Sequence, residues 1–182
     1  MKVVLISPYG SLVNVGLRVL SACLSRAGHD TRVIFLPSAK ETSSFLLFDP
    51  AELYDEKIIR QVTALCADAG LIGITVMTNY FYKARQLTEA LRERLHVPIV
   101  WGGIHPTVRP AECLEHADIV CVGEGEQALV ELANRIANRQ TYENIANLGY
   151  KDANGKVIVN SVRPLIHDLD ALPFPDFGPE NH

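Results

Sequence analysis

No two of the chain's four cysteines stand within three residues of each other: Cys23, Cys66, Cys113 and Cys121 are scattered. That spacing excludes a zinc knuckle, a redox Cys-x-x-Cys pair and the closely spaced trio that ligates an iron–sulfur cluster. Three of them lie inside apolar runs, where cysteine behaves as a small core hydrophobe, so all four are read as structural. Clustered Lys and Arg are missing as well, and a net charge of −4 argues against a nucleic-acid partner. No apolar stretch reaches the length of a bilayer span. Lys2 precedes only the short run Val3–Ile6 before Ser7-Pro8, which is no secretory leader, and the cytoplasm is the compartment expected. What remains is an ordinary globular composition, 48% hydrophobic and 21% charged over 182 residues, enough to bury a sizeable core.

Strand and helix periods alternate along the first three quarters of the chain. Short apolar runs at Lys2–Ile6, Thr31–Leu36, Leu71–Val76, Pro98–Trp101 and Asp118–Val122 suit buried parallel strands. Between them lie helical stripes. Val15–Ala27 aligns Leu20, Cys23, Leu24 and Ala27 and stops at Gly28. A helix opened by Asp49-Pro50 carries Ile58, Val62, Leu65 and Ala69. Phe81–Leu95 aligns Ala84, Leu87, Leu91 and Leu95; Pro110–Glu115 is short; Glu124–Asn138 aligns Leu129, Leu132, Ala133 and Ile136. Five βα units in a row specify an α/β fold, a flavodoxin-like (Rossmann-like), doubly wound, five-stranded parallel sheet. After residue 142 the pattern changes. Leu148–Lys151 and Lys156–Asn160 flank Asn154-Gly155 and read as a β-hairpin, followed by an extended tail with Pro173 and Pro175. The division expected is an α/β domain over 1–142 and a hairpin with linker over 143–182. Phe45–Phe48 reads as a loop whose apolar residues either cap a ligand or pack on the core.

Several ligands of this fold are struck out by residues that are not there. A phosphoacceptor receiver needs a carboxylate at its third strand tip, which here reads Thr75-Val76-Met77-Thr78-Asn79. No Gly-x4-Gly-Lys-Ser/Thr loop exists. The loop after the first strand offers only Ser7 and Ser11 to a flavin phosphate. Gly123-Glu124-Gly125-Glu126-Gln127-Ala128 fits the dinucleotide pattern in form, but it follows the fifth strand and sets two acids where a pyrophosphate would bind. Those acids suit the helix dipole. Two residues apart, their side chains diverge, so they make no catalytic dyad.

The glycines point elsewhere. Gly102-Gly103 and Gly123-Glu124-Gly125 end successive strands, where open parallel sheets bind ligands. Gly102-Gly103-Ile104-His105-Pro106-Thr107 together with Asp118–Glu126 resembles the N-terminal cobalamin-binding domain of cobalamin-dependent radical SAM enzymes. Ser7-Pro8, Gly16-Leu17, Ala27-Gly28-His29-Asp30 and the tail Asp168–Asp176 agree with it, so the resemblance covers nearly the whole chain.

The resemblance implies a corrin ring on the carboxyl edge of the sheet and a benzimidazole tail in a slot beside the central strands. The matching cofactor-binding positions are Tyr9, Gly10, Asn14, Thr75, Met77, Thr78, Gly102, Gly103, His105, Gly123, Glu124 and Gly125. Tyr9, Val13 and Met77 would cover the corrin's apolar face. Methionine synthase and the mutases carry Asp-x-His-x-x-Gly after the first strand; Ser7–Gly16 holds neither residue type, which implies base-off cobalamin with no histidine below cobalt from that loop. His105 is the one histidine near the site, as a ligand or as a turn residue fixed by Pro106. S-adenosylmethionine and a four-iron cluster would belong to a radical SAM domain beyond the tail, so the chain is not catalytic alone but part of a methyltransferase or cyclase. The reading from another class is a flavodoxin-like protein-interaction or regulatory module that has lost its cofactor.

Overall fold

The computed structural model describes residues 1–10, 14–37 and 53–178. The expected strands all form: β1 (Lys2–Ser7), β2 (Asp30–Phe35), β3 (Leu71–Thr75), β4 (Ile99–Gly102) and β5 (Ile119–Cys121). They pair in parallel in the order β2-β1-β3-β4-β5, the arrangement of a flavodoxin-like sheet. The C-terminal hairpin, β6 (Leu148–Lys151) and β7 (Val157–Val159), adds to the free edge of β5 in antiparallel fashion, so one continuous sheet has seven strands. Those two strands cover an edge that would otherwise expose unpaired backbone groups.

Helices cover both faces. α1 (Val15–Arg26) and α6 (Glu126–Ala137) lie on one; α2 (Glu56–Leu65), α3 (Phe81–Arg94), α4 (Ile104–Val108) and α5 (Pro110–Cys113) serve the other. Period-two alternation sorts the strand residues between them. Val4, Ile6, Ile72, Ile74, Val76, Ile99, Trp101 and Val120 pack under α2 and α3. Val3, Leu5, Val33, Leu71, Val100, Ile119 and Cys121 pack under α1 and α6. The single tryptophan, Trp101, is fully enclosed, and its indole Nε1–H donates to Thr88 Oγ1 at 2.8 Å, satisfying the one polar atom of that ring.

Two stripe assignments are corrected. Ala27 caps α1 in an exposed position; α1 buries the expected Cys23 and Leu24, together with Leu17, Arg18 and Ser21. Leu65 is exposed at the end of α2, whose buried face is Ile59, Val62 and Thr63. The proposed start at Asp49-Pro50 and the Phe45–Phe48 loop lie outside the described residues; within them, Asp55 caps α2, its carboxylate accepting from Ile58 N–H at 2.8 Å. α4 is an addition to the expected elements, since Pro106 argues against a helix interior. It stands in the first turn, where its missing N–H has no intrahelical partner to lose.

Beyond β7 the tail has one short 3₁₀ turn, Leu169–Ala171, and runs back along α1. Asp176 fastens it: its carbonyl accepts from the Arg18 guanidinium at 2.7 Å, its N–H donates to the Arg18 carbonyl, and its carboxylate accepts from Ser21 Oγ at 2.7 Å.

Candidate functional site

The two faces of the sheet differ at its carboxyl end. Under α2 and α3 the strands finish in Ile74, Val76, Trp101, Val120 and Val122, all buried and bulky. Under α1 and α6 the same strands finish in Gly73 and Thr75, Gly102, and Cys121 with Gly123. The residues paired across the sheet are small together: Thr75 lies opposite Gly102. The outcome is a slot of about 190 Å³ between the sheet and the first turns of α1 and α6. Its walls are Leu5, Leu17, Leu20, Val100 and Leu129, and its rim is Asn14, Gly16, Gly103, Gly123, Glu124 and Gly125. Gly73 lets Leu5 pack against the bare backbone of β3, since a Cβ there would meet Leu5 Cδ2 at 2.9 Å.

Each rim loop is tied down by its own residues. Asn14 caps α1, its Oδ1 accepting from Leu17 N–H at 3.2 Å while its Nδ2 donates to the Tyr9 hydroxyl at 2.8 Å. Gly103 has φ +102° and ψ −165°, a region essentially restricted to glycine. A side chain there would also collide with the Val76 carbonyl at 3.1 Å and Thr75 Oγ1 at 3.2 Å. Two backbone bonds clamp this turn to β3, Val76 N–H to the Gly102 carbonyl and His105 N–H to the Val76 carbonyl. Thr107 then joins the two glycine turns: its hydroxyl donates to the Gly103 carbonyl at 2.8 Å and accepts from Gly123 N–H at 3.0 Å. Asn147, fully buried with φ +72°, supports Gly123 from below, donating to the Val122 carbonyl at 2.7 Å and accepting from Arg163 N–H at 3.1 Å.

Of the twelve expected positions, Asn14, Thr75, Gly102, Gly103, Gly123, Glu124 and Gly125 come together around the slot. Tyr9, Gly10, Met77, Thr78 and His105 do not line it. Tyr9 rests on Tyr80 with ring centroids 4.8 Å apart, Gly10 and Thr78 are exposed, and Met77 is 42% exposed on the edge of the sheet. His105 is buried behind the glycine pair, against Phe81, with Nδ1 3.2 Å from Thr78 Oγ1. Val13 lies outside the described residues. Sequence reasoning missed Leu5, Leu17, Leu20, Gly73, Cys121 and Leu129 in the slot, and Thr107 and Asn147 as its braces; period-two alternation was the signal for Leu5, Gly73 and Cys121, and the helical period for Leu17, Leu20 and Leu129.

Glu124 and Glu126 do diverge. Glu124 accepts from Ile166 N–H at 2.8 Å, holding the tail beside the rim. Glu126 turns inward, lining the slot, and its Oε2 is enclosed without a hydrogen-bond partner among the described residues. Burial pushes the Cys121 thiol up to about 12, with the Glu126 charge adding to it, so the sulfur at the slot stays protonated. Cys66 and Cys113 are likewise pushed up to about 12 by burial, and Cys23 is raised. No group of three or more metal-ligating side chains occurs among the described residues, and no described helix is long and apolar enough to cross a membrane.

Residues 1–133 match the family described as the B12 binding domain. Among curated proteins, the chain is 32% identical over 114 residues to an uncharacterised methyltransferase of Pyrococcus horikoshii, covering 60% of this chain and 25% of that protein. It is 29% identical over 163 residues to the anaerobic magnesium-protoporphyrin IX monomethyl ester cyclase of Rubrivivax gelatinosus, covering 84% and 26%. The chain thus spans about a quarter of the length of these relatives. Among solved structures, it superposes on the radical S-adenosylmethionine methyltransferase TsrM of Kitasatospora setae, with cobalamin and a [4Fe-4S] cluster bound, with TM-score 0.70 and 19% identity over 96% of this chain and 31% of that one. The cobalamin-dependent S-adenosylmethionine radical enzyme OxsB, with aqua-cobalamin and S-adenosylmethionine bound, gives TM-score 0.70 and 17% identity over 96% and 24%. At these identities the likeness is one of fold.

Proposed function

The chain belongs to the B12-binding domain family, and from that premise we propose that it holds cobalamin, base-off, for a radical SAM domain joined to it beyond the tail. The observation that carries this reading is the slot itself. An apolar cavity of about 150 Å³ already admits a benzene ring, so a slot of about 190 Å³ walled by leucines suits one small heteroaromatic group. It is far too small for a macrocycle, which would have to lie outside, on the open carboxyl edge. The residues fit such a two-part ligand: an apolar pocket, glycine turns at 102–103 and 123–125 that allow close backbone approach, and one orphaned carboxylate oxygen.

In this reading the chain's own residues bind, orient and shield. Leu5, Leu17, Leu20 and Leu129 keep water from the ligand's tail, and Cys121, small and uncharged, leaves room for it. Gly102, Gly103, Gly123 and Gly125 form the surface on which the macrocycle rests, while Tyr9, Met77 and Thr78 line its outer rim. His105 faces Phe81 and Thr78 instead of the slot, and Ser7–Gly16 has no histidine, which supports a lower cobalt face without a protein imidazole. When bound, cobalamin supplies a cobalt centre that carries methyl groups or single electrons, chemistry no side chain provides. Methyl transfer or ring closure would take place in the adjoining domain, with S-adenosylmethionine and a four-iron cluster.

Titration with hydroxocobalamin tests this, read in the visible spectrum and through quenching of the enclosed Trp101, which precedes the glycine pair. Saturable binding with a base-off spectrum is the expected result. A histidine-ligated spectrum would keep the carrier but refute a lower cobalt face without a protein imidazole and turn attention to His105, and no binding at about 100 μM, weaker than roughly 5.5 kcal/mol, would refute the carrier itself.

A further inference from the structure

Glu126 is the one slot residue whose chemistry the cofactor reading leaves unexplained. Position N1 of α6 accounts for a negative charge, through the helix dipole. It does not account for an enclosed oxygen with no donor, since buried polar atoms are as a rule hydrogen-bonded. Among the described residues none donates to it. It lines the slot with Cys121 of β5 and the outer groove with Cys23 of α1; burial raises both thiols, with the Glu126 charge adding to it, and a thiol S–H is a weak donor. In the outer groove that it shares with the tail, Arg26 Nη1 donates instead to the Ala171 carbonyl at 2.9 Å, and Asn134 turns its Oδ1 to His29 Nε2 at 3.1 Å. Glu124 is occupied with Ile166.

A carboxylate accepts and never donates, so the group that completes it must bring an O–H or N–H. A phosphate brings the opposite, and like charges at contact distance repel. We propose that Glu126 is the specificity residue of the slot: its carboxylate accepts a hydrogen bond from an uncharged O–H or N–H of the nucleotide tail of a corrinoid. The phosphate of that tail then lies away from α6. This rests on the cofactor reading and deepens it, because it names the residue by which the slot would tell one nucleotide tail from another.

The test compares cobalamin with cobinamide, which has the corrin and its amides but lacks the nucleotide. In E126L the orphaned acceptor is gone, so the free chain melts at the same temperature or higher. Its Kd for hydroxocobalamin should rise at least about tenfold, equivalent to about 1.4 kcal/mol, while its Kd for cobinamide stays within about twofold of wild type. E126Q keeps an acceptor oxygen but not the charge, and serves also if the leucine variant fails to fold; it should lose less, and again only towards cobalamin. Unchanged cobalamin affinity in both variants overturns the proposal, and so does an equal loss towards cobinamide, which would place the donor on the corrin amides. Failure of the wild-type chain to bind either corrinoid overturns instead the cofactor reading beneath it.

Discussion

Filling the slot from its floor separates a ligand pocket from a packing defect. Gly102 is the position for it. Its φ is not in the left-handed region, and an added Cβ would meet only Cys121 Cβ, at 3.8 Å, an ordinary contact. Gly102→Val therefore sends about three carbon-sized groups into the void, worth up to about 2 kcal/mol at about 0.8 kcal/mol per buried methylene. A β-branched residue in a strand adds to that. The free chain should gain about 1–2 kcal/mol, visible as a midpoint rise of a few degrees. Ligand binding should move the other way. An aromatic group entering the slot buries on the order of 150–250 Å², or about 4–6 kcal/mol at 25 cal/mol per Å². Losing even half of that weakens binding by about 100-fold. Thermal melts and a cobalamin titration on the same sample give both numbers. Opposite signs are the outcome expected; a stabilised variant that binds within about threefold of wild type would show that nothing enters the slot. Gly103 cannot serve this purpose, since its φ of +102° and a Val76 carbonyl 3.1 Å from any added Cβ make a side chain there a folding lesion first.

Thr107→Val severs the link between the two glycine turns and leaves Gly123 N–H without its acceptor; a loss of about 1–2 kcal/mol of stability and of cobalamin affinity should appear together in melts and titrations, and an unchanged Kd would remove Thr107 from the site's framework. Asn147→Ala strands the Val122 carbonyl and puts alanine at φ +72°, for about 2–4 kcal/mol; a denaturation midpoint within error of wild type would refute the bracing role. All four thiols, buried and raised, should resist an aromatic disulfide reagent in the native chain and react at once in denaturant; a rapid native phase would contradict their burial. Burial and the N-terminal ammonium hold His29 below its ordinary range, and burial with Arg85 does the same to His116. The unfolded chain then binds more protons than the folded one below about pH 6.5, so stability falls as pH drops through that value. Melting temperature should decline from about pH 7 to about pH 5, less steeply in His29→Gln; a flat profile would refute the assignment.

The strands were legible because their two patterns are strong: continuous apolar runs, each closed by a turn residue. The helices were legible on their inner faces and less so at the ends. Ala27 and Leu65 continue the apolar period by composition, yet each falls where its helix has already passed the edge of the sheet. Period alone does not report where the partner surface stops. α4 was hidden by Pro106, which closes a helix in its interior and is neutral in its first turn; only the cap at Gly103 decides which applies. In the site, the glycine pairs were visible as turns, because two small residues after an apolar run have few other uses. Gly73 was not, since an isolated strand glycine reads equally well as a bulge or a close approach. Thr107 and Asn147 hold the turns from 16 and 25 residues away from their partners in sequence, a separation across which no local pattern carries information.

The placement of function follows from one asymmetry. A strand buried on both faces sends alternate side chains to each, so one sequence can make a full core on one side and a void on the other without disturbing backbone pairing. Here Ile72, Ile74, Ile99, Trp101 and Val120 fill the face under α2 and α3. Gly73, Thr75, Gly102 and Cys121, between them in the same strands, leave the slot under α1 and α6. The packed face keeps the strands rigid while the opposite face lacks the side chains that would normally do so. A substitution such as Ile74→Ala would then open the slot's floor from behind, at about 2–5 kcal/mol, and would loosen the ligand without touching it. The tail is fastened on the slot's side of the sheet, to Arg18 and Ser21 of α1 and to Glu124 just before α6. The Asp176 and Glu124 contacts supply from outside part of the restraint that the slot withholds from inside.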